Sequence, residues 1–505
     1  MDSFNLELEY ELVNEFDAVN LVTASKPIRH VVLRDEKLLK GKYPAKAHAR
    51  KVAKILGVTD GVIYLPGERD IKWEDSDQPR TFRQRRYFFY LTGANFQDCS
   101  VTYDIANDHL TLWLPFVDPR QILWFGKHPT APVALRTYDV DDARYNEQLA
   151  SYFTTHLGSR TLYVLRESHM PAGVPLGRST VNMTDLLPAI DQARIVKDEY
   201  EIAMIRRAND ISSEAHLRVA RNFLKMTNER HMEAMFMGVC DSFGSREMAY
   251  PVIAGGGVNG STLHYGENNK PLKMGDNVVF DAGCEYNCYA ADITRTLPVG
   301  GKFSTRGKAI MDIVTRMQRE CVAGVKPGIL FYELHKLAAR IAAQGLKKLG
   351  VLRGSLADIE KAGTAAAFFP HGLGHNVGLD VHDLIATLPL GVKRGVGLEF
   401  GKRHFVSSEM LAAMGTEKMQ GGRGPLQPGM VVTVEPGIYF CREYLEGFYR
   451  DSEVHADLID WDVLEKYYPV GGARTEDCIL VTDSGHENLS VAPKEADLLA
   501  VINGA

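Results

Sequence analysis

The sequence predicts a mixed α/β protein of two large domains, an N-terminal α/β unit followed by a unit in which strands alternate with long helices. Three observations carry this. At 505 residues the chain exceeds the size at which one hydrophobic core usually divides. Helix-period and strand-like segments alternate along most of its length. Between the two regions, residues 197 to 224 form a long amphipathic stretch, as in Glu201-Ile202-Ala203-Met204-Ile205-Arg206-Arg207-Ala208. The organisation expected is an extension over residues 1–40, an α/β domain over 41–190 and a second domain over 191–505.

Taken in order, Lys42 to Leu56 has helical spacing rich in alanine, lysine and arginine. Strand-like runs follow at Val62-Ile63-Tyr64-Leu65, Tyr87-Phe88-Phe89-Tyr90-Leu91 and Leu110-Thr111-Leu112-Trp113-Leu114. Beyond the amphipathic stretch, two more helices are expected at Lys308 to Val325 and Phe331 to Leu349. Residues 387 to 427 carry several glycines and no clear period, so they read as a long surface excursion.

Composition excludes several classes of function. Hydrophobic residues make up 45% and charged residues 24%, ordinary for a packed globular protein. The net charge is −6 and no long Lys/Arg run occurs, which argues against nucleic acid or an anionic membrane as partner. No uncharged apolar run reaches the roughly 18 residues of a spanning helix. The first residues, Met1-Asp2-Ser3-Phe4-Asn5-Leu6-Glu7, are acidic and lack the pattern of a secretory signal. Seven cysteines at irregular spacing do not form a disulfide framework, so a reducing cytoplasm is expected. Cys284 and Cys288 flank a hairpin turn but have no second Cys/His pair at zinc spacing.

The second region holds a set of acidic residues in apolar or glycine-bracketed settings. Asp281 ends Val278-Val279-Phe280-Asp281, and Asp292 sits in Ala290-Ala291-Asp292-Ile293-Thr294. A hairpin turning at Tyr286-Asn287 would place these two aspartates directly opposite, about 4.5–5.5 Å apart at Cβ. The alternative is one turn-flanking and one edge aspartate. His371, His375 and His382 fall within a glycine-rich stretch, His371-Gly372-Leu373-Gly374-His375-Asn376-Val377-Gly378. Interior glycines disfavour a helix there and suit a tight loop close to a ligand. Glu435 follows the strand-like Val432-Thr433-Val434 and precedes Pro436-Gly437, while Arg474 and Glu476 share one face of a strand leading into Ile479-Leu480-Val481.

A buried carboxylate without a partner is costly or takes up a proton, so four together require cations. Mostly hard oxygen with one imidazole favours Mn(II), with Co(II) or Zn(II) as alternatives. Two such ions could hold a bridging hydroxide and polarise a carbonyl, which is the chemistry of peptide or amide hydrolysis.

These residues, in this order, resemble the pita-bread metallopeptidases, the superfamily of methionine aminopeptidases, Xaa-Pro aminopeptidases and prolidases. His371 to His375 with Val381-His382-Asp383, Glu435-Pro436-Gly437-Ile438-Tyr439-Phe440 and Arg474-Thr475-Glu476-Asp477 resemble the Xaa-Pro branch. So do Leu263-His264-Tyr265-Gly266, Lys42-Tyr43-Pro44-Ala45 and Trp124-Phe125-Gly126-Lys127. The resemblance implies a creatinase-like N-terminal α/β domain, a pita-bread α+β catalytic domain and often a homodimer. It implies that Asp281 binds one ion, that Asp292 and Glu476 bridge both, and that His375 and Glu435 complete the other. Glu435 would also shuttle a proton, His264, His371, His382 and Arg474 would surround ligands or substrate, and His382 would stabilise the tetrahedral intermediate. The activity implied is removal of a residue preceding proline, from short proline-containing peptides or from Xaa-Pro dipeptides. The arginine that holds the substrate carboxylate in the dipeptidases has Arg423 as its nearest counterpart. A non-catalytic pita-bread module binding protein or RNA is the alternative, and such relatives typically lose ligands that this chain keeps.

Overall fold

The computed structural model describes residues 36–384 and 424–504, apart from Ala172 and Pro175. Most of the expected N-terminal extension, nearly all of the stretch from 387 to 427, and Arg423 lie outside these residues. The chain forms two compact units, one ending at Ala203 and the other beginning at Met204.

The first unit is built on a six-stranded sheet of order β4-β3-β2-β1-β5-β6. Its strands are β1 (Val62–Pro66), β2 (Ser100–Asp104), β3 (His109–Leu114), β4 (Asp142–Tyr145), β5 (Thr161–Tyr163) and β6 (Thr180–Asn182). The central strands pair antiparallel and the outer ones parallel. Helices α1 (Ala45–Leu56), α2 (Arg86–Tyr90), α3 (Leu149–His156) and α4 (Leu186–Ile195) accompany it. Every residue of β2 is buried, and Trp113 is fully enclosed, its indole N–H donating to Thr102 Oγ1 at 2.9 Å. The run Tyr87 to Leu91, expected as a strand, is instead the helix α2 with one further residue. A short, wholly apolar run does not reveal its period. Here the Tyr87 hydroxyl donates to Asp191 Oδ1 and the Tyr90 hydroxyl to the Ala193 carbonyl, both on α4, which fixes the helical form.

Helix α5 (Glu199–Asn222) begins at a reciprocal cap: Asp198 N donates to Glu201 Oε2 and Glu201 N donates to Asp198 Oδ1. His48 bonds Asp198 at 2.8 Å, so this buried His/Asp/Glu group is explained as a helix cap.

The second unit contains α6 (Glu229–Ser242), the antiparallel sheet of β7 (Ile253–Gly256), β8 (Asn277–Asp281) and β11 (Thr294–Pro298), and the hairpin β9 (Glu285–Tyr286) and β10 (Tyr289–Ala290). Helices α7 (Thr305–Gly324) and α8 (Phe331–Lys348) follow, and Gly345 allows Ile313 to approach the α8 backbone. A second antiparallel sheet joins β12 (Val431–Val434), β15 (Asp477–Val481) and β16 (His486–Asn488), and β13 (Gly437–Tyr439) pairs with β14 (Gly472–Arg474). Ile211, Ala215 and Val219 of α5 pack with Phe236, Phe280 and Leu297 into one core behind the first sheet.

The hairpin register differs from the expectation by two residues. Asp281 lies opposite Thr294, not Asp292, and the turn is Asn287-Cys288. Both turn residues have positive φ, 45° and 68°, the conformation that matches the twist of a two-residue hairpin and that asparagine adopts easily. Because the slip is two residues, Asp281 and Asp292 keep the same face as diagonal neighbours. Arg474 and Glu476 also do not share one strand, since the chain breaks between β14 and β15.

Arg295 points away from the aspartates and uses all its donors. It bonds the carbonyls of Thr294, Glu476, Ala492 and Pro493 and Asp477 Oδ1. Asp477, fully buried, also accepts from Gln318, Asn488 and Lys494. Burial alone would raise the Asp477 pKa, but Arg295 and Lys494 hold it down to about 2. A depressed carboxylate contributes stability above its unfolded pKa, and that contribution is lost as pH falls toward about 2. Asp477→Asn is therefore expected to be less stable by about 2 kcal/mol at neutral pH and to lose less stability on acidification from about pH 5 to 3. Urea unfolding at several pH values checks this.

Candidate metal centre

Each candidate ligand is delivered by a strand end or a loop pinned to a strand. Asp281 closes β8, Asp292 precedes β11, and Glu435 follows β12. His375 is held by β12: Thr433 N donates to the His375 carbonyl, His375 N to Thr433 Oγ1, and Glu435 N to the Leu373 carbonyl. Gly374 permits this approach, because a Cβ there would stand 2.1 Å from the Thr433 carbonyl oxygen. Glu476 N donates to the Thr294 carbonyl, joining the two halves of the unit at the site.

The five residues converge. Ligand atoms of Asp281, Asp292 and Glu476 all lie within 4.8 Å of one another, as do those of His375, Glu435 and Glu476. Asp292, His375 and His382 form a third such group. His375 Nε2 stands 3.3 Å from Asp292 and 3.2 Å from Glu435, linking the first two groups. Four of the five are buried and Glu435 is half-buried.

A network around the candidate ligands fixes their orientation. Arg474 donates to Asp281 Oδ2 (2.6 Å), Thr294 Oγ1 (3.0 Å) and the Tyr439 hydroxyl (2.7 Å). The Thr294 hydroxyl in turn donates to Glu476 Oε2 at 2.7 Å, and the Tyr250 hydroxyl donates to Asp281 Oδ1 at 2.6 Å. The Tyr439 hydroxyl meets His371 Nε2 at 3.0 Å, and His371 Nδ1 lies 3.9 Å from Glu435 Oε2. The His382 ring is 4.3 Å from that of His375, and the exposed His264 ring is 6.3 Å from that of His382.

The electrostatics are those of crowded anions. Glu476 is pushed well up by burial and by Asp292, Glu435 and Asp281, and Asp292 rises to about 6 through burial and the Asp281 charge, against the pull of His375. Burial would also raise Glu435, yet His375, His371 and Arg474 bring it down to about 2. Burial would lower His375, but Asp292 and Glu435 carry it to about 10, so a proton on the imidazole partly neutralises the cluster.

The donor set fits divalent cations. Four carboxylates face one another with Arg474 as permanent counter-charge, and His375 Nδ1 bonds the Asn376 carbonyl, turning Nε2 toward Asp292 and Glu435. Cys284 and Cys288 take no part; Cys284 lies in the core, accepting from the Ser212 hydroxyl at 3.3 Å. Thr294, Tyr250 and Tyr439 escaped sequence reading. Thr294 lies two residues from Asp292 in a strand-like run and Tyr439 within the motif that begins at Glu435, whereas Tyr250 carries no such signal.

A centre of carboxylates and one imidazole at this spacing defines a metal-dependent hydrolase. Residues 203–483 match the sequence model of Metallopeptidase family M24, and residues 46–164 match that of the Aminopeptidase P, N-terminal domain. A protein of Metarhizium robertsii named "Probable Xaa-Pro aminopeptidase" is 54% identical, covering 99% of each chain. One of Pyricularia oryzae with the same name is 42% identical over 99% of this chain and 98% of its own. Zn-substituted aminopeptidase P of Escherichia coli, solved with product, superposes with a TM-score of 0.71 at 27% identity, covering 92% of this chain and 99% of its own. The chain belongs to metallopeptidase family M24, with an aminopeptidase P N-terminal domain ahead of the pita-bread domain, and uses divalent metal ions. The family and its relatives support the enzymatic expectation over the non-catalytic module.

Without ions, Glu476→Gln removes one of the repelling charges. In chelator near pH 8 this variant is expected to be more stable than the parent by about 1–2 kcal/mol, and with added Mn(II) the order reverses. Chemical denaturation with and without metal reads both signs.

Proposed function

We propose that this chain is an Xaa-Pro aminopeptidase that removes the N-terminal residue from short peptides with proline second. The single observation that carries the reading is the convergence of Asp281, Asp292, His375, Glu435 and Glu476 in one buried cluster. Full-length similarity to proteins bearing that name supports it. In this reading Asp281, Asp292, His375, Glu435 and Glu476 would hold the two ions, with Asp292 and Glu476 shared between the two sides of the cluster. The oxygen-rich donor set favours Mn(II).

When bound, the ion pair supplies a water acidic enough to attack at neutral pH and a Lewis acid for the scissile carbonyl. The protein contributes proton handling and orientation. Glu435, half-buried and 3.2 Å from His375, would accept the water proton and deliver it to the departing proline nitrogen. His382, beside His375, stabilises the oxyanion of the tetrahedral intermediate. His371 is lowered by burial and by Arg474 against the pull of Glu435, and its contact with Tyr439 positions it to hold the substrate. Arg474 keeps Asp281 aimed at the site. His264, its ring 6.3 Å from that of His382, would contact substrate. A homodimer and a cytoplasmic setting belong to the same proposal. All seven cysteines are free, and no helix of the described residues is long and apolar enough to cross a membrane.

The test is hydrolysis of an Xaa-Pro-Yaa tripeptide beside an Xaa-Pro dipeptide by Mn(II)-loaded protein. Cleavage of the tripeptide at the Xaa-Pro bond is expected; activity confined to the dipeptide overturns the aminopeptidase reading in favour of a dipeptidase. Glu435→Gln is expected to lower kcat by about 10²–10⁴, measured on the same tripeptide.

A further inference from the structure

The loop that carries His264 is anchored by a side chain outside the metal centre. Glu229, in the first turn of α6, is 0% exposed, a setting in which an ionised carboxylate needs several donors. It has them. Oε1 accepts from the Gly256 backbone N–H (2.9 Å) and Asn259 Nδ2 (3.0 Å). Oε2 accepts from the Tyr265 hydroxyl and the Lys270 backbone N–H, both at 2.9 Å. Two donors precede His264 and two follow it, so one carboxylate ties the entry of the loop to its exit.

The surroundings reinforce this anchor. Glu229 N donates to the Lys270 carbonyl and Arg230 Nη2 to the Glu267 carbonyl, and the helix start favours a negative charge. Gly256 leaves room for the carboxylate: a Cβ there would stand 3.3 Å from Glu229 Oε1 and crowd it. From the other side the backbone of Gly471 and Gly472, just ahead of Arg474, presses on Gly257 and Gly260; a Cβ on Gly472 would stand 2.2 Å from the Gly260 carbonyl oxygen. Held on both flanks, the loop presents His264 to solvent opposite His382.

We propose that Glu229 is a positioning residue that sets His264 across from His382 by fixing both ends of its loop. The functional half of this inference rests on the substrate-facing role of His264 proposed above; the anchoring half does not. Glutamine keeps the volume of glutamate but turns an amide N–H toward donors that need an acceptor, so it breaks the anchor without opening a cavity.

The experiment uses the full-length, Mn(II)-loaded protein and compares wild type, Glu229→Gln, Tyr265→Phe, His264→Ala and the double variant Glu229→Gln/His264→Ala. Hydrogen exchange over residues 256–270 is expected to quicken about tenfold or more in Glu229→Gln and by less in Tyr265→Phe. On the tripeptide, kcat/KM is expected to fall about tenfold in Glu229→Gln, with little further loss when the substitution is added to His264→Ala. Unchanged exchange overturns the anchor, and losses that multiply fully in the double variant overturn positioning through His264. A His264→Ala enzyme with wild-type kcat/KM instead sinks the role of His264, a failure the exchange data distinguish from that of the anchor. Should Glu229→Gln not fold, Tyr265→Phe, which deletes a single donor, carries the same comparison.

Discussion

Mutual repulsion among four crowded carboxylates is the constraint to which the rest of this structure answers. Asp281, Asp292 and Glu476 are buried and Glu435 half-buried, and the four lie too near one another to be ionised together without added positive charge. Arg474 provides one permanent charge and His375 takes a proton when no ion is bound. Divalent ions are the remaining solution, and the family to which the chain belongs uses it.

The scaffold is arranged to keep that repulsion from spreading the site apart. β8 and β12 end at the cluster and β11 begins there, and the Thr294 to Glu476 backbone contact ties the first sheet to the second. Behind it, Arg295 gathers four carbonyls and Asp477, so the backbone under Glu476 is clamped from the core side. In front, Arg474 spans Asp281, Thr294 and Tyr439, an arrangement that a planar guanidinium can satisfy and an ammonium cannot. Rigidity is concentrated where charges must be held close, as a metal centre requires.

Much of this was legible in the chain itself. A carboxylate at the end of an apolar run has few explanations, and four carboxylates with one histidine in this order point to the candidate ligand set and to the family the chain resembles. The long helices α5, α7 and α8 declared themselves through their period. What misled was local and short. The Tyr87 to Leu91 run has no readable period, and its form depends on tyrosine hydroxyls reaching α4. The hairpin register depended on which residues accept positive φ in the turn, and Asn287-Cys288 prevailed over Tyr286-Asn287.

The sequence by itself determined the ligand chemistry and the helix periods, because side-chain type and spacing act over a few residues. Only the tertiary structure decided how those side chains are supported: that Thr294 links Arg474 to Glu476, that Tyr250 and Tyr439 hold Asp281 and His371, and that Glu229 grips the loop of His264. Those partners are distant along the chain and chemically ordinary. Their roles arise from distances of about 3 Å that exist only once strands and loops have been brought together.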